Sequence, residues 1–232
     1  MKEYLGAITL VTVADSSRFK RDYVRTCVQS WRKIYGREGD VLMVDAGLKS
    51  DDIDAARKLG MYVLDKEPPA VSNALKDKPA LKVMWRALPT WKHLIEATVL
   101  ARHSKHAILI DTDVFVVEPV AIPQLSVDFI FNGDATPGYR GKWYLPLLEP
   151  MVPTLNPGFL VFRPEAIDLA VLELLARRYL VHCKNYWWTR QSALSVLIAR
   201  SEKRRIFSGE DVRVFSGDMK RSPAQIRNNH WM

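Results

Sequence analysis

Strand and helix patterns alternate along the first two-thirds of this 232-residue chain. Continuous apolar runs are typical of strands covered on both faces, and apolar residues at helical spacing are typical of packed helices. The predicted strands are residues 5–14, 41–44, 61–64 and 106–110, and the predicted helices are 17–35, 51–59 and 81–101. This alternation predicts an α/β fold with a mainly parallel central sheet flanked by helices.

The remaining third continues the pattern without a linker or an internal repeat. Residues 66–79 are predicted to form a loop, and residues 136–153, rich in Gly, Pro and aromatic side chains, a mobile flap or an acceptor loop. Further strands are predicted at 129–132, 158–162, 205–207 and 212–215, and helices at 165–181 and 189–199. A chain of this length suits one domain, so we predict a single domain over residues 1–232.

The charge balance favours anionic partners. Lys and Arg number 34 against 26 Asp and Glu, a formal net charge of +8. Cys27 and Cys183 have no ligand-like spacing, which favours structural thiols in a reducing compartment. No run of about 18 apolar residues is present, and residues 5–13 suit a buried strand better than a signal peptide. We therefore expect a cytoplasmic protein.

Two acidic residues follow the apolar run 107–110. Asp111 and Asp113, separated by Thr112, are expected at the carboxyl end of a central strand, the edge at which open α/β sheets bind ligands. Mg²⁺ or Mn²⁺ is typically held there by one or two carboxylates together with substrate phosphates. The alternative is a polar strand exit, but another apolar run, 114–117, follows, and carboxylates buried between apolar runs are costly without a cation or hydrogen-bond partner.

Four segments together resemble a known family. AILIDTDVFVVEP (107–119) resembles the DXD segment of the retaining GT-A glycosyltransferases, which include glycogenin and bacterial lipopolysaccharide galactosyl- and glucosyltransferases. VLMVDAGLKSDDIDAARKL (41–59) resembles their second strand and following helix, with Asp45 and Gly47 at the turn. LNPGFLVFRP (155–164) resembles their N-x-G segment, and FSGDMK (215–220) the start of their C-terminal motif.

The resemblance implies a single GT-A domain and a reaction. A nucleotide-binding half would span about residues 1–113, and an acceptor half with the C-terminal tail about 114–232. The implied reaction is the metal-assisted transfer of a sugar, with retention, from a nucleotide-diphosphate donor to a hydroxyl of a glycan or glycolipid. A UDP-sugar is the family's usual donor, and Mn²⁺ or Mg²⁺ its cofactor.

The resemblance also implies roles for individual residues. Asp111 and Asp113 would hold the metal and, with Thr112, touch the ribose and phosphates of the nucleotide. Asn156 and Gly158 would line the sugar pocket. Residues implied elsewhere in the donor site are Gln191 beside the anomeric carbon, Gly217 and Lys220 at the diphosphate, Val13 and Asp15 at the nucleobase, and Asp45 at its turn.

Three further residues are candidates by their position. Lys82 and Arg86 lie on the helix that packs beside the donor cleft in the resembled family, so either could reach the diphosphate. Asp134 follows a predicted strand and is a candidate for contacting the donor sugar or stabilising an oxocarbenium-like centre, although an ordinary turn aspartate fits equally well.

The chain departs from the family pattern at two functional positions. The histidine that would be the third metal ligand is Val214 here, and the aspartate before Gln191 is Arg190, which becomes a catalytic candidate. His230 could supply the missing metal ligand if the tail folds back.

Residues 176–205 carry eight basic residues and one acidic residue, with aromatic residues interleaved. This composition fits a solvated helix face with core aromatics, or contact with an anionic acceptor or membrane surface. No nucleic-acid-binding motif accompanies the charge, so no nucleic-acid partner is expected.

Other functions fit parts of the pattern. ILIDTDVF also matches the D-x-D signature of HAD-type phosphohydrolases, with Asp111 as nucleophile and Asp113 as acid/base, but that motif is expected after the first strand. A sugar-phosphate nucleotidyltransferase would need a Gly-rich loop after Ala14, which is missing. Val214 and Arg190 also leave open a relative that binds a nucleotide sugar or glycan without turning it over.

Overall fold

A seven-stranded mixed sheet forms the centre of the chain. The computed structural model describes residues 8–35, 40–115, 127–137, 150–183 and 188–207. Within them the strands are β1 (Ile8–Ala14), β2 (Asp40–Asp45), β3 (Tyr62–Val63), β4 (His106–Ile110), β5 (Phe129–Pro137), β6 (Thr154–Phe162) and β7 (Arg204–Ile206). Their order across the sheet is β3-β2-β1-β4-β6-β5-β7.

One strand of the seven described runs against the others. The pairs β1–β2, β1–β4, β2–β3 and β5–β7 are parallel, whereas β6 is antiparallel to both of its neighbours, β4 and β5. The prediction of a mainly parallel sheet is therefore confirmed. Because β6 is reversed, its beginning lies at the edge where β1, β2 and β4 end, and Phe159 stands opposite Ile110.

Helices cover both faces of the sheet, as predicted. The described α-helices are α1 (Ser16–Phe19), α2 (Asp22–Tyr35), α3 (Ser50–Lys58), α4 (Pro69–Ala74), α5 (Pro79–Ala87), α6 (Pro89–Leu100), α7 (Leu169–His182) and α8 (Thr189–Arg200). Side chains from α4 to α8 form one buried cluster with Val11 and Val13 of β1. Side chains from α2 and α3 form a second cluster with Leu10 on the other face.

The structure corrects several predicted boundaries. The single helix predicted over 81–101 is two helices, α5 and α6, because Pro89 has no N–H to continue the first and Leu88 before it is extended (φ −128°, ψ 114°). The loop predicted at 66–79 contains α4, which begins at Pro69, a favoured first helical residue. The helix predicted over 17–35 is divided into α1 and α2, and that over 165–181 into a 3-10 turn (Pro164–Ala166) and α7.

Two predicted segments lie wholly or mostly outside the part of the chain that the structure describes. The strand at 212–215 and most of the flap at 136–153 lie outside the described residues.

Trp85 and Trp91, on α5 and α6, are buried in the core. Tyr179, one of the aromatic residues of the basic segment, is also buried and contacts the Trp91 ring edge-on, so it belongs to the core rather than to an exposed interface. Within the described residues, no helix has the length and apolar character needed to cross a membrane.

Candidate functional site

The turn after β4 presents the two acidic residues at the edge of the sheet. The backbone N–H of Asp111 donates to the carbonyl of Gly158 on β6 (2.9 Å), which extends the strand pairing by one residue. The N–H of Val114 then donates back to the Asp111 carbonyl (3.1 Å), closing a turn. Asp113 is exposed and Asp111 half-buried, while the Thr112 side chain between them is buried. Thr112 can therefore offer a ligand its backbone rather than its hydroxyl.

Both carboxylates act on the same buried thiol. Cys27 of α2 lies with its Sγ 3.9 Å from the Asp111 carbonyl oxygen. Burial, and then the negative charges of Asp113 and Asp111, raise the pKa of the Cys27 thiol to about 12. The thiol therefore stays protonated and is not a thiolate metal ligand.

The N-x-G segment of β6 packs directly against Asp111. The N–H of Gly158 donates to Asn156 Oδ1 (2.8 Å), which turns the Asn156 side chain back onto its own strand. A Cβ at position 158 would lie 2.9 Å from Asn156 Oδ1 and 3.5 Å from Asp111 Oδ2. A larger residue at position 158 would therefore have to displace the Asn156 side chain. Asn132 of β5, which the sequence analysis did not single out, is buried opposite Asn156.

Arg190 places a positive charge beside Asp111. It lies in the first turn of α8, and both terminal nitrogens of its guanidinium are 3.5 Å from Asp111 Oδ1. The side chain of Arg190 is 6% exposed and that of Asp111 36%. The beginning of α8 is fixed by a hydrogen bond from the Trp91 indole N–H to Thr189 Oγ1 (2.8 Å). The residue noted in the sequence as a departure is thus an ion-pair partner of the first aspartate.

A buried histidine accepts a hydrogen bond from the Arg190 guanidinium. The Nδ1 atom of His93 on α6 lies 3.2 Å from Arg190 Nη1, and its Nε2 lies 2.7 Å from the Val11 carbonyl oxygen of β1. A guanidinium only donates hydrogen bonds, so Nδ1 accepts and the proton sits on Nε2, which donates to Val11. Burial, and then the charge of Arg190, lower the pKa of His93 to about 4. The imidazole is therefore neutral at physiological pH.

The Gln191 side chain makes a hydrogen bond inside the protein. Its amide Nε2 donates to the Leu155 carbonyl (2.6 Å), and the residue is buried. This hydrogen bond links α8 to β6 next to Asn156. A role beside an anomeric carbon, which the resemblance implies, stays a prediction.

Two predicted carboxylates at strand ends make local hydrogen bonds. Asp15 accepts from Ser17 Oγ (2.6 Å) and from the Arg18 N–H (2.8 Å), capping α1, and the Ser17 hydroxyl is the main cause that lowers the Asp15 pKa. Asp45 accepts from the N–H groups of Gly47 and Leu48, both at 2.7 Å. Both lie at the edge where β1 and β2 end, at which the resemblance places the nucleotide.

Other residues predicted for the donor site lie less favourably for contact with a nucleotide sugar, or lie outside the described residues. The Val13 side chain lies in the core, so a nucleobase could meet only its backbone. Arg86 pairs with Glu67 (2.8 Å), which follows β3 in the chain, and the charge of Lys82 also acts on Glu67. Asp134 lies in β5, with its side chain outside the described part of the structure, and Gly217, Lys220, Val214 and His230 also lie outside it.

The donor set fits a hard divalent cation shared with a substrate. Within the described ranges, His, Cys, Asp and Glu side chains form no cluster of three or more that could hold a metal ion. Asp111 and Asp113 nevertheless supply the carboxylate oxygens that Mg²⁺ or Mn²⁺ needs when phosphate oxygens complete its coordination. Asp111 Oδ2 is on the opposite side of the carboxylate from the oxygen that Arg190 contacts.

A substitution at Gly158 tests the close packing against Asp111. Gly158→Ala should displace the Asn156 amide, lose its hydrogen bond to residue 158 and lower the free energy of unfolding by about 1 kcal/mol, measured by urea denaturation. Gly133→Ala is the matched control, because its Cβ would meet only Thr154 Oγ1, at an ordinary 3.7 Å. Equal stability of the two variants would contradict this packing.

The pH dependence of stability tests the neutral histidine. Between pH 6.5 and about 4 an unfolded histidine binds a proton that the buried His93 does not, so the wild type should lose stability as the pH falls through this window. The loss attributable to His93 should reach up to about 3 kcal/mol near pH 4. His93→Gln should show a correspondingly shallower decline in urea denaturation over that window. Parallel wild-type and variant curves would refute the neutral buried imidazole.

Solved structures with the same fold are glycosyltransferases. The sequence has no match among protein-family models or curated proteins. The bifunctional glycosyltransferase WbbM, in its apo form, aligns over 90% of this chain at 14% identity and a TM-score of 0.64. This chain spans only 40% of WbbM.

Two smaller glycosyltransferases also align. The galactosyltransferase LgtC, in complex with donor and acceptor sugar analogues, aligns over 87% of this chain and 73% of its own, at 13% identity and a TM-score of 0.54. The mannosyltransferase Ktr4p of S. cerevisiae, in complex with GDP, aligns over 89% and 70%, at 8% identity and a TM-score of 0.50. The chain therefore has the GT-A fold of these glycosyltransferases.

Proposed function

We propose that this protein is a glycosyltransferase that moves a sugar from a nucleotide-diphosphate donor, a UDP-sugar, to a hydroxyl of a glycan or glycolipid. The observation that carries the proposal is the pair Asp111 and Asp113 at the end of β4, where the Asp111 N–H donates to the Gly158 carbonyl near the beginning of the reversed strand β6. This edge is where an open α/β sheet binds its ligand.

The structural neighbours support the reaction class. LgtC is described with donor and acceptor sugar analogues and Ktr4p with GDP. Both descriptions agree with a site that takes a nucleotide and a sugar, while UDP as the nucleotide rests on the sequence resemblance. Glycan or glycolipid acceptors, retention and contact with an anionic membrane surface belong to the same proposal.

Asp111 and Asp113 are the residues that would hold Mn²⁺ or Mg²⁺. The ion, when bound, would neutralise the diphosphate and stabilise it as a leaving group. The turn between Asp111 and Val114 places both aspartates at the end of β4, and the hydrogen bond from the Asp111 N–H to the Gly158 carbonyl ties this turn to β6. Carboxylates already placed at this edge would hold the cation, and it is the cation that would stabilise the developing negative charge of the diphosphate.

The remaining proposed roles lie around this centre. Gln191 and Asp134 are proposed to face the anomeric carbon, and Asp15 and Asp45 the nucleoside side of the cleft. Gly217 and Lys220 are proposed to bind the diphosphate, and His230 to complete the metal coordination. Lys82 and Arg86 are proposed only as weaker contacts to the diphosphate, because Arg86 already pairs with Glu67.

Thermal stabilisation by UDP tests the proposal. At a UDP concentration about 100 times the dissociation constant, with Mn²⁺ present, the wild type should melt roughly 5–10 °C higher. Asp113→Ala should abolish this shift, because the exposed carboxylate contributes to the ligand site rather than to the core. The measurement is a melting curve with UDP, GDP or CMP, with and without Mn²⁺.

Asp54→Ala is the matched control for the charge. Asp54 lies exposed on α3, where it pairs with Arg57 at 3.6 Å, a surface contact of little energetic value. This variant should keep the full nucleotide-dependent shift. The proposal fails if no nucleoside diphosphate stabilises the wild type, or if Asp113→Ala and Asp54→Ala respond alike.

A further inference from the structure

The charge beside Asp111 changes what the donor site attracts. Asp111, Asp113 and Arg190 carry two formal negative charges and one positive charge. In the family pattern resembled by the sequence, the position of Arg190 is an aspartate, which would make three negative charges. This chain therefore presents a less negative edge to a metal ion and a more favourable one to an anion.

The guanidinium of Arg190 keeps unused hydrogen-bonding capacity. It has five N–H donors, and its side-chain acceptors in the described part of the chain are His93 Nδ1 at 3.2 Å and Asp111 Oδ1 at 3.5 Å. These contacts are long for charged hydrogen bonds. A buried guanidinium is stable only when its charge is well compensated, so further acceptors would bind it favourably.

The surroundings of Arg190 allow it to serve a ligand at Asp111. His93 is fully buried and accepts a hydrogen bond from Arg190, and its own Nε2–H donates to the Val11 carbonyl. The helix that carries Arg190 is fixed at its beginning by the Trp91–Thr189 and Gln191–Leu155 hydrogen bonds. The guanidinium is thus held beside the half-exposed carboxylate of Asp111.

We infer that Arg190 is a cation of the donor site that binds the diphosphate of a nucleoside diphosphate directly and weakens metal binding before the nucleotide arrives. The inference rests on the proposed function. A guanidinium binds phosphate oxygens through paired N–H donors, which gives the nucleotide a contact independent of the metal. The same charge repels a free divalent cation that approaches the shared carboxylate.

His93 acts in this arrangement as a positioning residue. Its neutral Nδ1 is an acceptor that only a donor such as a guanidinium can satisfy, and its Nε2–H ties the imidazole to β1. It touches neither ligand in this account. Its effect on the site is the fixed position of the Arg190 charge.

Two binding titrations of opposite expected sign test the inference. The first measures Mn²⁺ alone, from the EPR signal of the free ion, and the second measures UDP at saturating Mn²⁺ by calorimetry. Arg190→Gln should bind Mn²⁺ more tightly and UDP more weakly, each by about tenfold, the size expected for removing one charge next to a partly exposed site. A residue that only supported the fold would not change the two affinities in opposite directions.

Two further variants complete the test. Arg57→Gln removes an equal charge from the exposed face of α3 and should change neither affinity. Arg190→Lys keeps the charge without the paired donors, so Mn²⁺ binding should stay at the wild-type level while UDP binding weakens. It also replaces Arg190→Gln as the test if that variant does not fold, as judged by its melting temperature.

The outcomes separate the inference from the proposed function. If the wild type binds UDP but Arg190→Gln shows unchanged UDP affinity, or unchanged or weaker Mn²⁺ binding, the inference is wrong and the donor site stands. If Arg190→Lys binds UDP as tightly as the wild type, the direct contact with the diphosphate is wrong. If the wild type binds no nucleoside diphosphate with or without Mn²⁺, the proposed function itself fails.

Discussion

The reversal of β6 beside β4 is the constraint on which the candidate site depends. Because β6 is antiparallel to its neighbours, its beginning meets the end of β4 at one edge, and the Gly158 carbonyl can accept the N–H of Asp111. That hydrogen bond extends the pairing of β4 with β6 to Asp111, at the start of the acidic turn. A Cβ at position 158 would come within 2.9 Å of Asn156 Oδ1, so a larger residue there would have to displace the Asn156 side chain.

A series of hydrogen-bonded polar groups runs from the core of the protein to this edge of the sheet. The order from the core outward is the Val11 carbonyl, the neutral imidazole of His93, the guanidinium of Arg190 and the carboxylate of Asp111. Each polar group faces one of opposite hydrogen-bonding character, which reduces the cost of burying a charge. The arrangement also bears on the phosphohydrolase alternative, since D-x-D here follows the fourth strand of the sheet, beside an antiparallel partner, rather than the first.

The parts of the fold that depend on local patterns could be predicted from the sequence. Apolar runs located β1, β2 and β4, and the edge at which Asp111 and Asp113 emerge follows from strand direction alone. The break between α5 and α6 could have been predicted from Pro89, whose missing N–H outweighs an otherwise continuous helical pattern. The short helix α4 could have been predicted from Pro68 and Pro69, which suit the start of a helix.

The electrostatic partners of the site were harder to predict because they come from distant segments. His93 stands among apolar residues of α6 and looks like any core histidine until β1 and α8 are placed beside it. Arg190 was noted because it departs from a family pattern, yet its contact with Asp111 spans 79 residues of sequence. Gln191 shows the same limit, since its amide hydrogen bond to Leu155 depends on how α8 packs against β6.

The most direct test of the account is the identity of the small-molecule product. The protein, incubated with Mn²⁺ and a panel of UDP-, GDP- and CMP-sugars or with small phosphomonoesters, is assayed for released nucleotide and for inorganic phosphate. A glycosyltransferase donor site at Asp111 and Asp113 predicts release of the nucleoside diphosphate from one sugar donor, with the monoesters left intact. Inorganic phosphate released from the monoesters, and lost in Asp111→Asn, would contradict the account.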